Sequence, residues 1–153
     1  MSRTFTIIKP NAVSNGHTGQ ILDMLATAGF RLCAMKMVCL SRNDAERFYA
    51  VHKDRPFFRR LVLFMTSGPV VVAILERENA VESLRQLVGN TDPAKAAEGT
   101  IRRKFGESLT RNAIHASDSD ANAREEWSHF FAPEEIMETV YWLPCSAEKI
   151  DSD

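Results

Sequence analysis

An α/β sandwich is the fold class this sequence predicts, on three observations. Short apolar runs of strand length alternate with segments whose apolar residues recur at helical spacing. The chain has 153 residues, 44% of them hydrophobic and 25% charged, which is the make-up of one ordinary globular domain. The element order reads β-α-β-(α-α)-β-α-β-α, with the middle helices as an inserted hairpin. Without that insertion a β-α-β-β-α-β split unit remains, the pattern of a ferredoxin-like antiparallel sheet, although alternation alone equally permits a parallel doubly wound one. A chain of this length buries roughly 68–70% of its unfolded surface and needs no disulfide or metal staple.

Thr4-Phe5-Thr6-Ile7-Ile8 alternates and then turns fully apolar, as a strand at the centre of a sheet does, and Pro10 stops it. Thr18 is placed as the cap of a helix with Ile21, Leu22, Leu25 and Ala28 on one stripe, closed by Gly29. Residues 30–40, rich in Leu32, Cys33, Met35, Met37 and Val38, read as a second strand. Ser41 begins a helix marked by Ala45, Phe48, Tyr49 and His52. After a break at Pro56, the positions Phe58, Leu61, Val62 and Met65 mark a shorter helix that ends before Ser67-Gly68-Pro69. Val70-Val71-Val72-Ala73-Ile74-Leu75 is crowded with β-branched residues and is the strongest strand. Ala80, Val81, Leu84, Leu87 and Val88 form a helical stripe ended by Gly89. Periodicity fades over 90–112, a polar, basic loop of a length that is usually functional. Residues 113–116 supply a fourth strand, and Ser117-Asp118-Ser119 supplies capping residues for a last helix carrying Ala123, Trp127, Phe130 and Phe131. With no repeat or linker, a single domain spans 1–153, of which about 140–153 is a C-terminal tail.

Lys and Arg total 19 against 20 Asp and Glu, a net charge of −1, so neither nucleic acid nor an anionic membrane is an expected partner. No apolar run approaches the ~18 residues of a membrane span, and the N-terminus lacks a signal-peptide pattern. Cys33, Cys39 and Cys145 are odd in number and lack metal-ligand spacing, which fits packing residues in a reducing compartment, the cytoplasm. Met24, Met35, Met37 and Met65 read as core, and Asp44, Glu46, Glu76 and Glu78 as ordinary helix-start and surface charges.

The sequence lacks a GxxxxGK[ST] phosphate loop, GxGxxG, HExxH, CxxC and GxSxG. What it offers instead is His115, between small apolar residues at the end of a short strand and ahead of a capped helix. A neutral imidazole there is a competent nucleophile if an acceptor orients its second nitrogen, and Glu126, two turns along the next helix from Ser119, is such an acceptor. A satisfied structural histidine fits the same position equally well. Arg85, Arg102, Arg103, Lys104 and Arg111 are cations suited to phosphate oxygens, with Arg103 and Lys104 assigned to solvated surface. Lys9 interrupts a buried strand at its end, where an ammonium group is costly unless used or led out to water. Of the pair Phe57-Phe58, Phe58 continues the apolar stripe, and Phe57 is either packed or free to stack on a base. There is no acidic cluster for a permanent metal site.

Ile8-Lys9-Pro10-Asn11-Ala12-Val13, His52-Lys53-Asp54-Arg55-Pro56-Phe57-Phe58, Ser67-Gly68-Pro69-Val70-Val71, Asn90-Thr91-Asp92-Pro93-Ala94, Gly99-Thr100-Ile101-Arg102 and Asn112-Ala113-Ile114-His115-Ala116-Ser117-Asp118-Ser119 follow one another in register. Together they resemble the nucleoside diphosphate kinase family from about residue 3 to 133. The resemblance implies the ferredoxin-like sandwich: a four-stranded antiparallel sheet covered by helices, an inserted helical hairpin and a long nucleotide-site loop. It implies transfer of the γ-phosphate of a nucleoside triphosphate, mainly ATP, to a nucleoside diphosphate by a ping-pong route through phosphohistidine at His115. Glu126 would hold the other ring nitrogen and Ser119 would support that carboxylate. Lys9 and Asn112 would bind ribose hydroxyls, with Lys9 also near the moving phosphoryl. Arg85, Thr91 and Arg102 would hold the distal phosphates with partners drawn from the ligand, His52 would make a further phosphate contact, and Tyr49 would line the pocket beside the histidine. Phe57 and Leu109 would enclose the base without selecting it, since every base has a π-face. Mg²⁺ is the implied cofactor, held by nucleotide phosphates and not by a protein cage. A homo-oligomer, tetramer or hexamer, is implied as well. Ala116 departs from the glycine the family usually carries there. A nucleic-acid or protein-binding module and a phosphohistidine relay to another protein are the competing readings.

Overall fold

The computed structural model describes residues 1–138, so the tail at 140–153, including Cys145, lies outside the described residues. Its sheet has the order β2-β3-β1-β4, built from β1 (Ser2–Ile8), β2 (Arg31–Val38), β3 (Val70–Arg77) and β4 (Ile114–Ala116). Every neighbouring pair is antiparallel, which decides between the two sheets the element order permits. A helical crossover from β1 to β2 leaves a gap one strand wide, and β3 enters it running the other way.

β1 and β3 are central, and the side chains of each alternate between two cores. Ile8, Val71, Ala73, Leu75 and Ile114 face α2 (Thr18–Thr27) and α5 (Ala80–Val88), whose buried stripes carry Ile21, Leu25, Leu84 and Val88. Phe5, Ile7, Val70, Val72 and Ile74 face the other layer, made by α3 (Arg42–Phe48), α4 (Phe58–Met65) and α7 (Asp120–Ser128). The inserted hairpin is α3 and α4 with a 3-10 turn at Ala50–His52 between them.

Local chemistry explains most boundaries. Ser41 and Asp44 form a reciprocal capping box that starts α3. Pro10 ends β1 and also opens a one-turn helix, Pro10–Ser14, because its missing N–H costs nothing at a first helical position. Thr18 is the first residue of α2 and His17 holds the cap position, one residue earlier than the sequence suggests. Phe130 and Phe131 follow the end of α7 yet still pack into its layer.

Four burial assignments are corrected. Met35 and Met37 are exposed, because β2 is an edge strand with only one face well covered. Cys39 is exposed while Cys33 is buried. Glu76 is buried and ion-paired with Arg3 at 3.0 Å, not a surface charge.

The loop from 90 to 112 contains a 3-10 turn at Pro93–Lys95 and the helix α6 (Ile101–Phe105), capped by Thr100. Gly89 fixes where this loop leaves α5. It sits at φ +88°, and a Cβ there would lie 2.7 Å from the Thr100 side chain. Gly89→Ala therefore combines left-handed strain with a clash and should cost about 1–3 kcal/mol. A denaturant titration checks this, and an unchanged midpoint would contradict the assignment.

Candidate active site

β4 is only three residues long, and His115 stands opposite Ile7 of β1, on the face covered by α3, α4 and α7. The approach to the strand is bent: Ala113 has φ +75°, and Ile114 N–H donates to Asn112 O at 3.0 Å, closing a tight three-residue turn. Lys9 N–H, donating to Ala113 O at 2.8 Å, pins that turn to the end of β1. Ala116 does not share this left-handed backbone, so the departure from glycine brings no φ strain.

The His115 Nε2 lies 2.8 Å from Glu126 Oε2. The same carboxylate oxygen accepts from Ser117 Oγ at 2.6 Å, a shorter contact than the 3.2 Å from that hydroxyl to Phe5 O. A carboxylate oxygen accepts and cannot donate, so Nε2 carries the proton, and in the neutral ring Nδ1 is the nitrogen with the lone pair. Ser119 does not reach this carboxylate. Its hydroxyl accepts from Asn122 N–H at 3.1 Å and caps α7, so the support expected from Ser119 comes from Ser117. The physical reason is the helix start: the exposed N–H groups of α7 take the Ser119 oxygen, while Ser117 precedes the turn and faces inward.

A cleft of about 830 Å³ opens beside the imidazole. Lys9, Arg85, Thr91, Arg102 and Asn112 line one part of it with His115 and Glu126. Tyr49, His52, Phe57 and Leu109 line it too, whereas Ser119 does not. Phe57 and Leu109 expose much of their surface at the cleft, and the His52 ring lies 5.4 Å from that of Phe57. Tyr49 is buried with its hydroxyl unpartnered, and burial, with the Glu126 charge nearby, pushes its pKa up. Arg111 does not join the cleft, since Glu107 holds its Nε at 2.7 Å. Asp118 does, accepting from the Asn122 amide, although in the sequence it reads only as part of the capping run ahead of α7.

Lys9 and Arg102 are held by neutral oxygens. Lys9 Nζ donates to Asn112 Oδ1 at 2.8 Å, and the Asn112 amide donates to Thr91 O at 3.0 Å. Arg102 donates to Gly89 O at 3.0 Å and to Ile114 O at 2.9 Å, while its buried Nε has no partner. The expectation that the ligand supplies all of the Arg102 partners is thus corrected: Arg102 also ties α5 to β4. Burial, with Arg102 close by, lowers the Lys9 pKa to about 7. Burial, with Arg85 close by, lowers that of Arg102 to about 10. Such a group of desolvated cations is a strained arrangement that an anion relieves. For Mg²⁺ the donor set is sparse. Glu126 serves His115 and Ser117, Asp118 serves Asn122, and the described residues hold no group of three or more candidate ligands. That set fits a magnesium ion carried on phosphate oxygens and water, with at most a carboxylate from the chain.

The Lys9 shift has a stability consequence with a definite sign. Below pH 7 the ammonium is charged in both the folded and unfolded chains, so the full burial penalty is present; it fades as pH rises toward the ordinary value of 10.5. Lys9→Met should raise the stability of the nucleotide-free protein by about 1–4 kcal/mol at pH 7. Melting curves at several pH values should show this gain shrinking toward pH 10.5, and a destabilised variant at pH 7 would contradict the burial argument.

A family model described as nucleoside diphosphate kinase matches residues 2–136. The nucleoside diphosphate kinase of Chlamydia felis is 55% identical over 140 residues, 92% of this chain and 99% of that protein. That of Nitratiruptor sp. is 56% identical over 137 residues, covering 90% and 100%. Among solved structures, the Aquifex aeolicus nucleoside diphosphate kinase has a TM-score of 0.87 at 45% identity, covering 89% of this chain and 99% of its own. A halophilic nucleoside diphosphate kinase from Halobacterium salinarum in complex with CDP has a TM-score of 0.87 at 37% identity, covering 92% and 97%. On these matches and the ferredoxin-like fold they share, this chain belongs to the nucleoside diphosphate kinase family, enzymes that transfer phosphate from nucleoside triphosphates to nucleoside diphosphates.

Proposed function

We propose that this chain works by a ping-pong mechanism in which His115 carries the phosphoryl group. A single observation carries the reading: Nε2 is committed to Glu126, and the imidazole lies in the same cleft as Lys9, Arg85 and Arg102. The Nδ1 lone pair attacks the γ-phosphorus, the bond to the bridging oxygen breaks, and a nucleoside diphosphate leaves. Positive charge that develops on the ring is compensated at Nε2–H by Glu126, which Ser117 orients. A second nucleoside diphosphate then takes the phosphoryl group by the reverse of the same step.

In this scheme Arg85, Arg102 and Thr91 hold the distal phosphates, and the unpartnered Nε of Arg102 finds an acceptor there. Lys9 serves the moving phosphoryl and, with Asn112, the ribose hydroxyls. Tyr49 borders the phosphohistidine, and His52 adds a weaker phosphate contact. Phe57 and Leu109 enclose the base at the exposed part of the cleft, and stacking of this kind suits broad base specificity. The CDP held by the Halobacterium relative is a ligand of this class. Mg²⁺, when bound, supplies charge neutralisation on the phosphates. ATP is the proposed main donor, a tetramer or hexamer the proposed assembly, and the cytoplasm the proposed compartment, the last on the thiol usage of the sequence.

Incubation with γ-labelled ATP and Mg²⁺ should give an acid-labile, alkali-stable label that GDP discharges and that His115→Ala lacks. A label GDP cannot remove would favour a protein relay, and a folded protein without label would favour a binding module. Two serines make a second, paired prediction. Ser117→Ala should slow labelling about tenfold by leaving Glu126 without its orienting donor. Ser119→Ala should cost about 1 kcal/mol of stability and leave the labelling rate unchanged. Rapid-quench labelling alongside thermal melts separates them, and the reverse pattern would contradict the assignment.

A further inference from the structure

The scheme above leaves the aromatic side of the imidazole unused. Phe48, the last residue of α3, meets the His115 ring nearly edge-on, with centroids 5.4 Å apart and planes at 81°. Phe5 stands 6.3 Å from the same ring at 57°. Phe48 is itself held from several sides, by Tyr49 at 4.9 Å, Phe130 at 5.8 Å and Phe5 at 6.1 Å. Phe130 in turn stacks on Phe5 at 5.6 Å and 12°. Phe48 packs against the core on one side, is half-buried, and lines the cleft beside His115 on the other.

One hydrogen bond at Nε2 fixes a single corner of the imidazole and leaves the ring free to swing about that corner. Aim at a phosphorus atom needs a second restraint, because small misplacements of a reacting group are costly in rate. Among the described residues, the aromatic collar around Phe48 is the apolar contact that supplies it, and edge-to-face geometry is the preferred one for such a restraint. An aromatic wall at this point also takes up volume that water would otherwise fill. We propose that Phe48 is a positioning residue that sets the plane of the His115 ring and limits water beside the phosphoryl group it carries. The phosphoenzyme then passes its phosphate to a nucleotide acceptor more readily than to water. In the suppressed side reaction a water oxygen bonds to phosphorus, the N–P bond breaks, and the leaving imidazole nitrogen takes up a proton. The products are inorganic phosphate and free histidine. This inference rests on the phosphohistidine reading given above.

The test uses the full chain, labelled with γ-labelled ATP and freed of nucleotide. Two rates are read: discharge to GDP, and loss of label to inorganic phosphate without an acceptor. Phe48→Ala should slow discharge about fivefold and speed hydrolysis by a similar factor, with the GDP concentration for half-maximal discharge changed less than about twofold. Phe48→Tyr, which keeps the ring, should restore both rates. Phe48→Leu keeps apolar bulk without the ring and provides a second reading if the alanine variant does not fold; it should show the same two changes at reduced size. Folded alanine or leucine variants with both rates at wild-type values would overturn the proposal and leave Phe48 a packing residue. Absence of label in the wild-type protein would instead overturn the phosphohistidine reading itself, and this inference with it.

Discussion

One oxygen of Glu126 accepts from both His115 and Ser117, and the chemistry of the cleft depends on that convergence. It assigns the proton to Nε2 and leaves the opposite ring nitrogen turned away from the carboxylate, the atom that attacks phosphorus in the proposed mechanism. The fold makes the convergence possible at little cost. His115 rests on an edge strand paired with the buried end of β1, and Glu126 comes from α7, which begins four residues after that strand ends. The bent backbone at Ala113 is the price of bringing Asn112 and His115 into one cleft within four residues.

The cations impose an opposing demand. Lys9 is buried beside a neutral amide, and Arg102 points into the cleft with a donor left over. Neither arrangement favours the empty protein. Both favour a polyanion that arrives with its own negative charge, which in the proposed scheme is the nucleotide. Arg102 shows how closely the two demands are joined. Its terminal nitrogens clamp Gly89 and the strand that carries His115, while Nε remains free. The group that would meet phosphate is thus also a strut of the wall that holds it.

Much of the fold was legible because burial and periodicity coincide in the central strands and in α5, where each face meets one solvent or one core. Legibility failed where position in the sheet decides exposure. Met35 and Met37 are apolar residues on an edge strand, and nothing local distinguishes an edge from a centre. Pro10 carries two signals, strand stop and helix start, and only the first was read. In the cleft, residue type marked the histidine, the lysine and the arginines as candidates, because a nucleophile and cations suit phosphate, but it left a structural histidine and solvated cations equally open. The two serines are chemically identical, and only the path of the backbone into α7 tells which one supports the carboxylate and which one caps the helix. The positive φ at Ala113 has no residue-type signal, since alanine does not ordinarily announce a left-handed turn.

The most direct measurement of the central claim is nitrogen-resolved NMR of protein labelled with ¹⁵N in its histidine rings, before and after phosphorylation. The resting His115 should carry its proton on Nε2, and phosphorus should couple to Nδ1 in the phosphorylated form. Phosphorus bonded to Nε2 would mean that the nitrogen facing Glu126 is the nucleophile, and the arrangement described here would be contradicted at its centre.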